Sequence, residues 1–194
     1  VQSLTNKNFG LVIAFLVPGF IAICGVSFRS TTVNVWIAGT EGVSVGGFLY
    51  STLAALFVGL LCSTARWLCL DWLHHHTGIA RPEWDYVKLQ ANLGAYTLLE
   101  ENHYRYYQFY GNSLFAWWIA YGCWRSTLAG QEPQPADLAF AGISLLLYLG
   151  SRDTLQKYYR RVEDLLSPTS TIGIITSPLD FSKHVAERNA KSLS

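Results

Sequence analysis

The twenty residues from Phe9 to Phe28, FGLVIAFLVPGFIAICGVSF, contain no charged side chain. An α-helix rises 1.5 Å per residue, so about 20 apolar residues cross a hydrocarbon core about 30 Å thick. A second run, GGFLYSTLAALFVGLLCSTA from 46 to 65, is equally long and equally free of charge. Two helices that are apolar on every side set the fold class before anything else does: all-α and integral to a membrane, because only internal hydrogen bonding satisfies a backbone in lipid. The first run is as long as a span and is not followed by a small-residue cleavage site. It is therefore expected to stay attached and not to be removed as a signal peptide.

Composition points the same way. Of 194 residues, 51% are hydrophobic and 14% charged, with a mean hydropathy of +0.21. The net charge of +1 provides no global basic field, so nucleic acid is not an expected partner. Cys24, Cys62, Cys69 and Cys123 sit in or at the ends of apolar runs without C-x-x-C spacing, and they read as small buried thiols and not as a zinc site.

Two later runs are shorter. SLFAWWIAYGCW (113–124) reaches span length only by including the aromatic residues before it, and LAFAGISLLLYLG (138–150) needs a few residues at each end. They read as two spans or as one buried hairpin, joined by the polar, proline-rich turn QEPQPAD. The distribution of Lys and Arg favours spans. With four spans and a cytoplasmic N-terminus, the inner side holds Lys7, Arg66, Arg81, Lys88, Arg105, Arg152, Lys157, Arg160, Arg161, Lys183, Arg188 and Lys191, and the outer side only Arg29 and Arg125.

The expected architecture is thus four transmembrane helices with cytoplasmic helical extensions. Residues 1–166 form one membrane domain, with spans at about 9–28, 46–65, 106–125 and 136–151. The extensions, 66–105 and 152–166, make a cytoplasmic layer, and 167–194 is a cytoplasmic tail. Both termini are cytoplasmic, in a membrane of the bacterial inner type. Pro18 and Gly19 kink the first span, which is tolerated where a neighbour covers the freed carbonyl.

Within the cytoplasmic layer, the second span continues through RWLCLDWLHHH to a C-cap at Gly78 and a stop at Pro82. A further helix is expected from near Glu83, with Tyr86, Leu89, Leu93, Tyr96 and Leu99 as its apolar stripe. The fourth span continues as RDTLQKYYRRVEDLL. In the tail, Ile172 to Ile175 is a short β-prone core inside a segment whose composition equally fits a docking arm or disorder.

Two clusters raise the question of chemistry. EENHYRYYQFYGN (100–112) holds Glu100 and His103 at i, i+3, a pair that helical di-iron sites use in duplicate; no second copy exists here. DWLHHHTG (71–78) sets Asp71 three and four residues before His74 and His75, so a carboxylate-oriented imidazole is geometrically available. If the clusters meet, Asp71, His74, His75, Glu100 and His103 form a composite site with room for a metal; no other cofactor is expected.

A simpler reading makes both clusters membrane junctions. Arg66 snorkels beside Trp67, Glu101 pairs with Arg105 at i, i+4, and Tyr104, Tyr106, Tyr107 and Tyr110 form a headgroup collar. Lys157, Arg160 and Arg161 face anionic lipid. Asn112 and Ser113 supply hydrogen bonds between helices, and Gly19, Gly25, Gly59, Gly122 and Gly142 favour close helix packing or self-association.

The spans carry almost no charge, against a pump or coupled transporter, and no nucleophile elbow or phosphate loop is present. The reading that results is a multi-pass membrane scaffold, anchor or effector in contact with lipid, self-associating or docking a cytoplasmic protein. A membrane-interface enzyme with the composite His/Glu site, and an oligomeric channel, are the alternatives.

Overall fold

The structure, a computed structural model, describes residues 10, 12–38, 45–128, 130 and 132–167. The tail beyond Ser167, with Ile172 to Ile175, and the first residues of the first apolar run lie outside them. Among the described residues all regular structure is helical. Helix α1 is Val12–Ser27, α2 is Thr31–Ala38, α3 is Val45–His76 and α4 is Tyr86–Ala91. Helix α5 covers residues 93–125, and α6 is Pro135–Leu166.

Helix α3 is the one described helix both long and apolar enough to cross a membrane; α1 is apolar but shorter. Their packing follows from small residues. A Cβ on Gly19 would lie 1.7 Å from the Ala55 carbonyl oxygen, one on Gly59 2.0 Å from that of Phe15, and one on Gly25 2.1 Å from Ala120 Cα. Backbones therefore touch backbones, as apolar helices do when dispersion holds them together. A Cβ on Gly122 or Gly142, expected to pack in the same way, would meet no other described residue within 4 Å.

Paired positions give the topology. Gly19 opposes Ala55 while Phe15 opposes Gly59, so α1 and α3 are antiparallel. Arg66 meets Asn112 while Asp71 meets Tyr107, so α3 and α5 are antiparallel. Tyr121 meets Asp137 while Tyr110 meets Gly150, so α5 and α6 are antiparallel too. The result is an up-down-up-down bundle. Ala22, Cys62 and Ala116 form a core shared by α1, α3 and α5.

Helix α6 changes character along its length. From Leu138 to Gly150 none of its residues is buried, whereas Ser151, Leu155, Tyr158, Val162 and Leu166 then form a buried stripe at spacings of four and three. That stripe builds a second core with Tyr107, Ile79, Tyr96 and Leu99. We call this end of the bundle the platform.

The connections have local causes. Gly78 takes φ +97°, and the Ile79 and Gly78 amides donate back to the His74 and His75 carbonyls, closing α3 with the expected glycine cap. Arg152 donates to the Thr77 carbonyl at 2.8 Å, where a helix C-terminus favours a cation.

The helix expected near Glu83 begins instead at Tyr86, because the Asp85 carboxylate caps the Val87 and Lys88 amides. It is also interrupted at Asn92, whose φ of −114° separates α4 from α5. Leu89, Tyr96 and Leu99 of the expected stripe reach the second core, but Tyr86 and Leu93 are exposed. At the opposite end Arg125 holds the α5–α6 turn by bonding the Gly130 and Glu132 carbonyls. Helix α2, unanticipated from sequence, stacks Trp36 on Tyr50 of α3.

Candidate functional site

Among the described residues three helices contain a widened turn of the π type: Val12–Leu16 in α1, Arg66–Asp71 in α3 and Glu100–Tyr104 in α5. Hydrogen bonds run i→i+5 in such turns, which bring together residues five apart. In α3 the pair brought together is Arg66 and Asp71. Arg66 Nη1 lies 3.1 Å from Asp71 Oδ1.

Arg66 is only 3% exposed, although its sequence position beside Trp67 suggests a surface residue. Its Nε donates to Asn112 Oδ1 at 3.1 Å, and its guanidinium carbon lies 4.7 Å from the centre of the Tyr107 ring. Gly111 makes room for its stem, since a Cβ there would stand 2.5 Å from Arg66 Cδ. The Tyr107 hydroxyl donates to Asp71 Oδ1. Both charges thus have charge-assisted partners, the condition for holding them inside a protein.

The network extends to α1. In an α-helix the Ala14 carbonyl would accept from the amide of residue 18, but Pro18 has no N–H. Asn112 Nδ2 donates to that carbonyl at 2.7 Å. A continuous chain therefore joins Ala14 of α1, Asn112 of α5, Arg66 and Asp71 of α3, and Tyr107 of α5.

One turn further along α3, His74 is fully buried. Its Nε2 lies 3.1 Å from Ser151 Oγ on α6, and the rings of Tyr148 and Tyr107 flank it at 5.3 and 6.2 Å. Its Nδ1 has no hydrogen-bond partner among the described residues, as is also true of Ser113 Oγ and Arg105 Nε. Histidine and serine are in contact and both are enclosed, so the pair links α3 to α6.

The remaining sequence candidates are placed separately. His75 Nε2 accepts from Arg81 Nε at 2.9 Å and faces the Tyr159 hydroxyl at 3.3 Å. Its Nδ1 meets the Asp71 carbonyl, so Nδ1 is the donor of that bond. His103 Nε2 accepts from Arg161 Nη1. Burial, then the Arg161 and Lys157 charges, hold the His103 pKa below its ordinary value.

Among the described residues no three His, Cys, Asp or Glu side chains come together as a metal would need. The π turn separates Glu100 from the helical i, i+3 relation with His103, and Glu101 makes no ion pair with Arg105 among the described residues. Both line a cavity of about 240 Å³ with Gly10 and Tyr106.

Of the aromatic residues expected at a headgroup collar, Trp67 and Tyr106 are exposed and Tyr104 and Tyr110 half-buried. Tyr107 is fully buried. Lys157, Arg160 and Arg161 are exposed on α6, with Lys157 2.7 Å from Asp153.

What sequence reasoning missed is that Arg66, Leu70 and His74 point inward. The signal was present: Ser51, Ala55, Gly59, Cys62, Arg66, Leu70 and His74 are one stripe at spacings of three and four. No family model, curated protein or solved structure matches the chain.

Proposed function

We propose that the chain is a four-span membrane protein that serves as a scaffold or anchor, with the platform as its cytoplasmic docking face. The observation that carries this reading is the outward surface of α3. Leu53, Phe57, Leu60, Leu61, Trp67, Leu68 and Trp72 are all exposed, while the opposite stripe, small or polar apart from Leu70, is buried. The outward residues of α6, Leu138, Leu145, Leu146 and Leu149, continue the apolar surface around the bundle. Water does not tolerate so large a continuous patch on a monomer, and lipid does.

The up-down-up-down topology and the twelve-to-two distribution of Lys and Arg support the same arrangement. The platform lies beyond the apolar belt on the basic side, has its own core, and exposes Lys157, Arg160, Arg161 and Glu163. An enzyme reading gains less, because Asp71, His75 and His103 are each engaged by another side chain or a carbonyl.

Topology is tested by single cysteines in a cysteine-free background. An impermeant thiol reagent should label Glu132→Cys from outside intact cells and Lys157→Cys only after permeabilisation. Release of the protein into the soluble fraction by carbonate, or labelling of both positions in intact cells, would refute the membrane reading. Docking is tested by a photoreactive residue at Arg160, which should give one discrete adduct in cells while the same residue at Glu132 gives none. Twice the chain mass would identify self-association and another mass a partner; the absence of an Arg160 adduct would refute docking.

A further inference from the structure

At the junction between the apolar belt and the platform, α3 and the loop after it enclose an open groove of about 340 Å³. Its walls are Trp67, Leu68 and Trp72, which are 62%, 59% and 60% exposed. Its far end is made by His76 and Arg81. We propose that this groove is a binding site for one anionic phospholipid, the phosphate on Arg81 and the acyl chains along α3; the proposal rests on the membrane reading above.

Three observations select this occupant. First, the groove is amphipathic along its length. Leu61 and Phe57, exposed nearer the belt, extend the apolar walls along the outward face of α3, so an acyl chain entering from the belt lies against apolar side chains. Tryptophan at such a boundary presents an apolar ring with a polar edge, the match for the glycerol region of a lipid.

Second, the acidic group of the groove is offset from inside the bundle. That group, Asp71, has its Oδ1 engaged by Arg66 and Tyr107. Arg81 is the arginine of the lining, and the carboxylate that shares the groove with it is already paired with Arg66.

Third, Arg81 is held in position. Its Nε donates to His75 Nε2, and His75 is itself fixed by the Asp71 carbonyl. The terminal amino groups of Arg81 make no hydrogen bond or ion pair to a described residue, which leaves a two-pronged donor set of the kind that recognises phosphate. His76 Nδ1 is occupied by the Trp72 carbonyl at 2.9 Å, and its ring packs on Trp72 at 4.2 Å between centroids, stiffening one wall.

The test is native mass spectrometry of the full chain in detergent, titrated with phosphatidylglycerol or phosphatidylcholine. Wild type should retain one phosphatidylglycerol about tenfold more tightly than phosphatidylcholine, because both carry the phosphate but the choline cation of the second offsets its charge beside Arg81. Arg81→Gln should remove that preference, Arg81→Lys should restore part of it, and Trp72→Ala should weaken both lipids. Unchanged melting temperatures would show that the variants fold.

Excess glycerol phosphate should not displace the lipid, because the acyl chains supply part of the binding. Complete displacement would overturn the lipid assignment in favour of a phosphate site. Equal retention of phosphatidylglycerol by wild type and Arg81→Gln would overturn the site itself. Failure of this titration with cysteine labelling intact removes only the groove assignment, whereas failure of the labelling removes the membrane reading beneath it.

Discussion

Asn112 answers the vacancy that Pro18 creates, and a double-mutant cycle measures how strongly. Replacing Asn112 by Ala removes the donor to the Ala14 carbonyl, 2.7 Å away, and the acceptor of Arg66 Nε, 3.1 Å away. Each buried group left without a partner costs about 1–3 kcal/mol, with the charged donor at the upper end, so the expected loss is about 4–6 kcal/mol. Pro18→Ala returns an amide N–H to residue 18, which lets the widened turn close as α-helix and gives the Ala14 carbonyl a partner within its own helix. In the Asn112→Ala background that change should recover about 1 kcal/mol, near the upper range for hydrogen bonds between membrane helices. In the wild-type background it should recover little, since the carbonyl is already bonded. The assay is reversible unfolding in mixed micelles followed by tryptophan fluorescence, giving a coupling free energy from four proteins. A coupling below about 0.3 kcal/mol, the range of independent sites, would refute the claim that Asn112 acts on the carbonyl freed by the proline.

Asp71→Asn should cost about 3–5 kcal/mol in the same assay, because it leaves the Arg66 charge buried without its counter-ion; adding Arg66→Met should recover much of that loss. Gly59→Ala forces α1 and α3 apart and should lower stability by about 1–3 kcal/mol, whereas Gly122→Ala and Gly142→Ala, with open space around them, should be neutral or slightly stabilising. His103 should make stability pH-dependent. Its folded pKa lies below the ordinary value near 6.5, so the unfolded chain binds the proton more readily; stability is full above about pH 6.5 and falls as pH drops through the folded value. His103→Gln, which can still accept from Arg161, should shallow that fall in melting temperature between pH 7 and 5, and an unchanged slope would count against it.

The helical class and the approximate positions of the long helices were legible because charge-free runs of span length have few alternatives. The Gly78 cap and the continuation of α6 past residue 151 were legible for the same kind of reason: each depends on a local pattern. The start of α4 was misplaced by three residues because an aspartate cap competes with helix propensity, and Asp85 prevailed over Glu83. The buried network was not read from the sequence because its key pair, Arg66 and Asp71, stands at a spacing that an ordinary helix would place on different faces. Only the widened turn unites them, and nothing in RWLCLD announces that turn. His74 and Asp71 were singled out, but with each other and with Glu100 in view, while their actual partners, Ser151 and Tyr107, come from elsewhere in the chain.

A π turn holds one residue more than an α-helical turn needs, which gives α3 a point where its length can change. Deleting a residue from an ordinary packed helix rotates everything after it by about 100°, turning buried faces outward. Deleting Cys69, which is exposed and lies inside the widened turn, would instead let Arg66–Asp71 close as α-helix. Arg66 and Asp71 would then stand at i, i+4, still neighbours, and Leu70 and His74 would keep their inward phase. A chain one residue shorter at this place should retain its ion pair and its bundle, so length variation in related chains is expected to concentrate at this turn.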